Sequence, residues 1–497
     1  MFETAELGRS ITKKDYESEL ELLRAKLVQA QIDLMETQSR VVLVISGVDG
    51  AGKAKVVNRL NEWLDPRGVN THAFDTPSDE ERERPFFWRF WRAMPVRGRI
   101  GIFYGSWYTD PLIRAVHKKF KQADLDSAMR RVGSMEQMLA EDGTFILKLW
   151  LHLSKDAQYR RLKDLESDPH QHWRVLPTDW KHHKLYDKFI RNAGRMIRLT
   201  DRLHAPWHLI ESTDERYRDL TAGRLLLAAF EQALETNQQS RQPTKKSTPQ
   251  PRLKITTRRS GPTILDKVDL TKTLTKERYR KQLAKRQSDW NQLVWKAAEK
   301  GVSNIIVFEG WDAAGKGSCI RRVTEAMDPR LYQIFPVAAP TDEERAHHYL
   351  WRFWRHLPRD GRVTIFDRSW YGRLLVERVE KFATVPEWSR AYSEINDFEE
   401  QLCEHGIVLH KYWLHISKEE QLVRFKKRET IDYKQHKITD EDWRNRKKWN
   451  DYQAAVNDMV AHTSTGAAPW TLVPGNDKRF ARMFILKDLY KRLGNAV

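Results

Sequence analysis

Two short stretches of the chain carry residues suited to gripping a phosphate group. Residues 310–317 are GWDAAGKG and residues 47–54 are GVDGAGKA, and each follows an apolar run and precedes a helical pattern. Glycine N–H groups at a helix N-terminus can face an anion, and Lys316 or Lys53 can reach its oxygens. Neither lysine is followed by the Ser or Thr that usually holds magnesium in such a loop. The pattern therefore predicts two P-loops whose metal ligands lie elsewhere.

Two carboxylates of the second half could supply those ligands. The stretch 362–373, RVTIFDRSWYGR, has an apolar strand that ends in Asp367 and Arg368. An acid at the end of a strand beside the P-loop strand is the Walker B arrangement, in which it binds magnesium directly or through water. Asp312 in the loop and Asp367 can share the ion. The alternative is a turn-forming Asp312 and a helix-capping Asp367, but two acids in place of one absent ligand favour the metal role.

A basic stretch follows a later strand of the second half. Between Gln421 and Lys448 it has ten Lys or Arg residues and five acids. A basic flap that closes over phosphates is typical of the lid of nucleotide kinases, where it excludes water and places arginine on the transferring group. The alternative is a solvated helix face, which accounts for several of these side chains.

Composition narrows the possible partners. The chain has 497 residues, a formal charge of +19 and only two cysteines, Cys319 and Cys403. Two thiols give no disulfide framework and suit a reducing cytoplasm, and no apolar stretch approaches the roughly 20 residues that span a bilayer. The N-terminal MFETAELGRS lacks the features of a secretory signal. The positive charge favours a polyanion, which could be nucleic acid, an acidic membrane surface or inorganic polyphosphate.

The whole pattern occurs twice. A displacement of 263 residues relates Gly47 to Gly310, Trp88 to Trp351, Trp107 to Trp370, Lys148 to Lys411 and Asp179 to Asp442. A displacement that stays constant over this length indicates a tandem duplication of one domain. The polar, proline-containing stretch 236–272 is typical of a linker. We therefore predict one domain at 1–235 and a second at 273–497.

Each half has the same predicted order of elements. A leading amphipathic helix precedes an apolar strand, VVLVI at 41–45 or NIIVF at 304–308, which leads into the P-loop and its helix. Further short apolar strands then alternate with helical segments. This order predicts α/β domains with parallel sheets.

Taken together, these motifs resemble the polyphosphate kinase 2 family. The resemblance rests on GWDAAGKG, on DRSWYGR continuing to VERV, on the preceding WRFWRHLP and on KYWLHISKEEQLVRF, and it covers nearly all of both halves. Because the unit occurs twice, the chain is most similar to the fused two-domain subgroup of that family. The resemblance implies tandem duplicated P-loop kinase domains, each with a thymidylate-kinase-like parallel sheet flanked by helices and with a helical lid.

The resemblance also implies a reaction and a set of site residues. The expected reaction is magnesium-dependent transfer of the terminal phosphoryl group of inorganic polyphosphate to AMP, giving ADP. The expected catalytic residues are Asp312, Lys316, Asp367, Arg368 and Arg428, and the expected magnesium ligands are Asp312, Asp367 and Glu377. The expected phosphate-binding residues are Gly310, Ala313, Ala314, Gly315, Lys316, Gly317, Arg373, Arg378, Arg424, Lys434 and Lys437. One position departs from the family pattern, since His436 stands where a Trp is expected, which Trp173 keeps in the first half.

Other functions remain open from the residues alone. A polyphosphate-dependent kinase of ADP or GDP, or an ATP-dependent nucleotide kinase, would use the same P-loop. A nucleic-acid-binding protein is a weaker alternative, because binding alone gives no reason for paired acids beside a P-loop. We expect inorganic polyphosphate, AMP and ADP as partners, no nucleic acid and no membrane, and a cytoplasmic location. The oligomeric state stays open, with a homodimer among the options.

Only the second half carries the complete set of site residues. Asp49 and Lys53 persist in the first half, but the other predicted positions are replaced: Asp367 by Tyr104, Arg368 by Gly105, Arg373 by Asp110, Glu377 by Arg114, Arg378 by Ala115 and Arg428 by Leu165. One loop acid without its partner holds magnesium poorly. We therefore predict that the first half is a degenerate copy, able at most to grip anions through Lys53.

Overall fold

The computed structural model describes residues 1–241, 262–430 and 439–497. The first half has one sheet of five strands in the spatial order β2-β3-β1-β4-β5, and all neighbouring strands are parallel. The strands are β1 (Arg40–Gly47), β2 (Val69–Ala73), β3 (Ile100–Tyr104), β4 (Thr144–His152) and β5 (Trp207–Glu211).

The second half repeats this sheet. Its order is β7-β8-β6-β9-β10, again with every neighbouring pair parallel. The strands are β6 (Asn304–Gly310), β7 (Tyr332–Pro336), β8 (Val363–Asp367), β9 (Val408–His415) and β10 (Trp470–Pro474). The central strands β1 and β6 are buried over almost their whole length, as expected for parallel strands covered by helices on both faces.

Helices connect the strands in each half. Those of the first half are Lys13–Met35, Lys53–Trp63, Asp79–Arg82, Trp88–Ala93, Thr109–Val116, Gln122–Glu141, Lys155–Ser167, Pro177–Lys184, Tyr186–Thr200 and Glu215–Arg241. Those described in the second half are Lys276–Glu299, Lys316–Thr324, Asp342–Arg345, Trp351–Trp354, Val376–Val379, Val385–Glu404, Lys418–Glu429, Asp440–Lys447, Trp449–Thr463 and Lys478–Gly494. No helix within the described ranges is long and apolar enough to cross a membrane.

The chain forms two compact units that do not coincide fully with the two halves. The first unit includes Asp342–His348 from the second half, and the second unit includes Ser78–Trp88 from the first half. The helix Glu215–Arg241 continues into the predicted linker, most of which lies outside the described residues. The domain boundaries at 235 and 273 stay a prediction, whereas the predicted α/β class with duplicated parallel sheets is confirmed.

Each unit contains a buried lysine, and the two lysines have equivalent hydrogen-bond partners. Lys411 donates to Glu399 at 2.6 Å, to the Tyr371 hydroxyl and to the Thr463 carbonyl. Lys148 makes the equivalent three bonds in the first unit. A buried charge needs such partners to offset its desolvation. Because the network is retained in both copies, it belongs to the shared fold and not to chemistry that only one copy performs.

Candidate functional site

The P-loop of the second unit joins β6 to the helix Lys316–Thr324. Gly310 has φ 149°, and a Cβ there would lie 2.6 Å from the Leu414 carbonyl oxygen, so the position requires glycine. Lys316 Nζ donates to the Gly310 carbonyl at 2.7 Å and to the Trp311 carbonyl at 3.4 Å. An ammonium has three N–H donors. Within the described part of the chain, Lys316 therefore keeps one donor for a phosphate oxygen.

The two predicted metal-binding acids both border the cavity at this loop. Strand β8 pairs with β6, with Asp367 opposite Phe308, so the strand end carries Asp367 to the edge where the P-loop begins. Asp312 Oδ1 lies 3.4 Å from Arg368 Nη2, and Asp312 Oδ2 accepts a hydrogen bond from Asn445 Nδ2 at 3.0 Å. Asp312 and Asp367 line the same cavity. Both acids therefore border the same space, and their sharing of one metal ion stays a prediction.

Two residues of this site have strained backbones. Ala313 has φ 60° and Arg368 has φ 66°, the left-handed region that non-glycine residues rarely adopt. The first half has glycine at both equivalent positions, Gly50 and Gly105, with φ 79° and 73°. Strain of this kind persists where the side chain is needed in that place. The first half, which lacks the Asp367–Arg368 pair, thus has glycine at the same two turns and avoids this strain.

A cavity of about 810 Å³ surrounds the loop of the second unit. Among the residues that the structure describes, its lining is strongly basic, with nine Lys or Arg residues against four acids. The basic residues are Lys316, Arg321, Arg322, Arg368, Arg424, Lys427, Arg428, Lys478 and Arg482, and the acids are Asp312, Asp367, Glu441 and Asp442. Burial and the neighbouring Arg424 and Arg482 lower the pKa of Lys478 to about 8. A cavity with this excess of cations suits a ligand with many negative charges.

Arg424, a predicted phosphate-binding residue, donates hydrogen bonds to main-chain carbonyls of the P-loop. Its Nη1 donates to the carbonyls of Ala313 and Ala314, and its Nη2 donates to the carbonyls of Gly475 and Asn476. The side chain is 5% exposed. Arg424 therefore holds the P-loop against the segment after β10. Its guanidinium also adds positive charge to the cavity lining.

Three other predicted residues lie away from the large cavity. Arg373 pairs with Glu377 at 3.1 Å and stacks on Tyr349, and neither Arg373 nor Glu377 is among the cavity-lining residues. Arg378 donates to Tyr392 and pairs with Asp458 at 2.8 Å. The structure thus gives these three side chains protein partners, and their phosphate and metal roles stay predictions. Lys434, His436 and Lys437 lie outside the described residues.

Glu309 is a buried acid that the sequence reasoning missed. It is the next-to-last residue of β6, and its Oε1 accepts a hydrogen bond from the Ser369 hydroxyl at 2.8 Å. Burial raises its pKa to about 7, which Lys316 and Arg368 counteract. It lines a small cavity of about 70 Å³ that shares Asp312, Arg368, Glu441 and Asn445 with the large one. Glu309 thereby ties the strand end that carries Asp367 and Arg368 to the P-loop strand.

Other missed residues could have been found by comparing the two halves. At the 263-residue displacement, Lys478 is replaced by Glu215, Arg482 by Asp219 and Arg321 by Asn58. Each replacement removes a positive charge, and two of them reverse it. Loss of charge at equivalent positions marks the cations that only the second site uses.

The first unit has the equivalent loop, but its lysine and acid are bonded to other groups of the protein. Lys53 Nζ donates to the Gly47 and Val48 carbonyls and to Asp49 Oδ1, at 2.9, 3.2 and 3.1 Å, which uses all three of its donors. His182 Nδ1 lies 2.7 Å from the other Asp49 oxygen. Glu215 pairs with both Lys55 and Arg161. These contacts argue against the prediction that Lys53 binds an anion.

Asp312 and Asp367 offer carboxylate oxygens of the kind that a divalent cation prefers. Magnesium prefers oxygen ligands and commonly uses one or two carboxylates together with water and substrate phosphates. Among residues 1–241, 262–430 and 439–497, no group of three His, Cys, Asp or Glu side chains could hold an ion. The pair therefore fits an ion that arrives with phosphates better than one enclosed by protein alone.

Comparison with known proteins places both halves in one family. A family model described as Polyphosphate kinase 2 (PPK2) matches residues 10–239 and 273–496. The chain is 50% identical over 492 residues to a polyphosphate:AMP phosphotransferase of Pseudomonas aeruginosa, covering 98% of each protein. It is 38% identical over 218 residues to a GDP-polyphosphate phosphotransferase of Mycobacterium tuberculosis, covering 44% of this chain and 74% of that protein.

A solved structure agrees with this placement. The crystal structure of a Pseudomonas aeruginosa protein assigned to polyphosphate kinase 2 superposes with a TM-score of 0.89 at 47% identity, covering 100% of this chain and 99% of that one. The similarity thus extends over both sheets, including the half that lacks the paired acids.

Proposed function

The chain belongs to the polyphosphate kinase 2 family, and on that premise we propose that it transfers the terminal phosphoryl group of inorganic polyphosphate to AMP, giving ADP. The observation that carries this proposal is the full-length similarity to polyphosphate:AMP phosphotransferases, at 38 to 50% identity over at least 95% of the chain. The GDP-polyphosphate relative covers only 44% of it. AMP is therefore favoured over GDP as the acceptor.

The side chains of the cavity account for the transfer chemically. An AMP phosphate oxygen attacks the terminal phosphorus of polyphosphate, and the bond from that phosphorus to its bridging oxygen breaks, leaving a chain one phosphate shorter. The AMP phosphate has a second pKa near 6, so it is largely a dianion at pH 7 and needs little base catalysis. The main barrier is electrostatic. Lys316 and Arg368 would neutralise the approaching anions and the charge that develops on the transferring group.

The remaining residues position the two substrates. Asp312 and Asp367 would hold magnesium, which supplies further positive charge at the phosphates. A polyphosphate chain would extend along Arg321, Lys478 and Arg482, which line the same cavity. Arg428, at the end of the helix Lys418–Glu429, would approach the transferring group from the lid side.

We further propose that the protein works in the cytoplasm, without nucleic acid or a membrane as partner. Cys319 and Cys403 are free thiols, which a reducing compartment preserves. The first half would not catalyse transfer, because Tyr104 and Gly105 replace Asp367 and Arg368 and because Lys53 is already fully bonded.

The donor decides between this function and an ATP-dependent nucleotide kinase. Purified protein is incubated with AMP and magnesium and either polyphosphate or ATP, and ADP is measured. We expect ADP to form from polyphosphate and not from ATP, since the nine-cation cavity is built for a longer polyanion than a triphosphate. Because contaminating adenylate kinase would make ADP from ATP and AMP, the Lys316→Ala protein purified in the same way is the control. Transfer from ATP alone would overturn the proposal.

The magnesium pair makes a separate prediction. Asp312→Asn and Asp367→Asn keep the shape of each side chain but remove its charge, so each should raise the magnesium concentration that gives half-maximal rate. The increase should at least match the roughly 10 to 100-fold cost of losing a partner outside the metal's own ligands. Glu441→Gln, which neutralises another acid of the same cavity, is the matched control. An unchanged magnesium requirement in both Asp variants would remove the proposed ion site.

A further inference from the structure

The first unit contains an open cavity of about 500 Å³ around Asp49 and Lys53. At the 263-residue displacement, its lining includes the equivalents of residues that border both cavities of the second unit. Ser46 and Gly105 stand where that unit has Glu309 and Arg368. Loss of these two large side chains leaves a single space of the size that small-molecule ligands occupy.

This cavity is poorly suited to phosphate. Lys53 and His182 are the basic residues of its lining, and both are bonded to Asp49. Asp75 adds a further acid. Apart from Lys316, whose counterpart is Lys53, the cations that line the phosphate cavity of the second unit have no counterpart in this lining, and Gly105, Glu215 and Asp219 replace Arg368, Lys478 and Arg482. Electrostatics therefore favours an uncharged ligand.

The lining has instead gained two aromatic residues. Phe74 and Tyr104 replace Val337 and Asp367, and they join Tyr108, Trp150 and Phe189 around the space. Tyr104 is half-buried, and among the described residues its side chain has neither a hydrogen-bond partner nor a ring partner. Aromatic faces of this kind stack on the planar rings of nucleobases.

We propose that this cavity binds an uncharged planar-ring ligand of nucleoside size, with adenosine as the probe. The ring would stack beside Tyr104 at the end of β3, and the polar groups of the ligand would face Asp49 and His182 at the loop. The first half would then retain the P-loop fold but bind a planar ring instead of a phosphate group. The inference concerns binding alone and does not depend on the donor or acceptor of the reaction.

Equilibrium dialysis of the full-length protein with labelled adenosine tests this. Tyr104→Ala removes the stacking ring and Ile113→Trp fills the cavity, and each should weaken adenosine binding roughly tenfold or more. The matched control is Val376→Trp, which fills the equivalent position of the second unit and should leave this binding unchanged. Thermal melting of each variant establishes that it is folded, and two chemically different variants keep the result independent of any one of them.

Competition identifies the class of ligand. AMP carries a dianionic phosphate that would meet Asp49 and Asp75, so it should displace adenosine from this site roughly tenfold less effectively than unlabelled adenosine does. Equal displacement by AMP would make the cavity a nucleotide site. Absence of adenosine binding, or binding that Val376→Trp abolishes and Ile113→Trp does not, would likewise overturn the proposal.

Discussion

Replacing Lys316 with alanine is expected to lower the rate of ADP formation by roughly 10³ or more, whereas Lys53→Ala keeps most of the activity. The two lysines occupy equivalent places in equivalent loops, but their bonding differs. Lys316 has two main-chain acceptors and a donor left for phosphate, while Lys53 has three acceptors within its own unit. The measurement is initial ADP formation from AMP and polyphosphate at saturating magnesium.

The pair controls for the fold because each change removes the same side chain from the same kind of turn. Thermal melting curves of both variants show whether either unit has unfolded. If the ranking is reversed, so that Lys53→Ala is nearly dead and Lys316→Ala active, the active site has been assigned to the wrong half. If both are dead although folded, the two halves share the chemistry.

Much of the fold could be predicted because its strands are buried apolar runs. The central strand of each half and the three later ones are recognisable from sequence, and the duplication doubles every signal. The edge strands β2 and β7 are not recognisable in this way. Their residues, VNTHA and YQIFP, are all exposed or only partly buried and have no long apolar run to mark them.

The site was predictable where residues follow one another in the chain and less so where they converge from distant elements. Asp312, Lys316 and Asp367 lie in or beside a loop whose geometry a motif defines. Arg321, Lys478 and Arg482 come from helices whose facing direction depends on tertiary packing. Arg373 and Arg378 follow a motif closely, yet the structure pairs them with Glu377 and Asp458. Their phosphate-binding roles therefore stay predictions that rest on the motif alone.

Arg368→Gly is expected to abolish activity and at the same time stabilise the protein. In the proposed reaction, the guanidinium beside Asp312 would neutralise charge on the transferring group, and loss of such an arginine costs roughly 10³ to 10⁵ in kcat. The same residue has φ 66°, a conformation that costs about 1 to 3 kcal/mol for a non-glycine residue. Glycine relieves most of that cost, as Gly105 does in the first half.

Arg368→Ala separates the two effects, because it removes the guanidinium but keeps the strained backbone. Both variants should lose activity to the same degree, while only the glycine variant should unfold at a higher temperature than the alanine variant, by about 2 to 4 °C for each kcal/mol of strain relieved. The measurements are ADP formation and thermal melting of the two proteins side by side. An active alanine variant would refute the charge role. Identical melting temperatures would mean that no strain is stored at this turn, and the glycines of the first half would then need another cause.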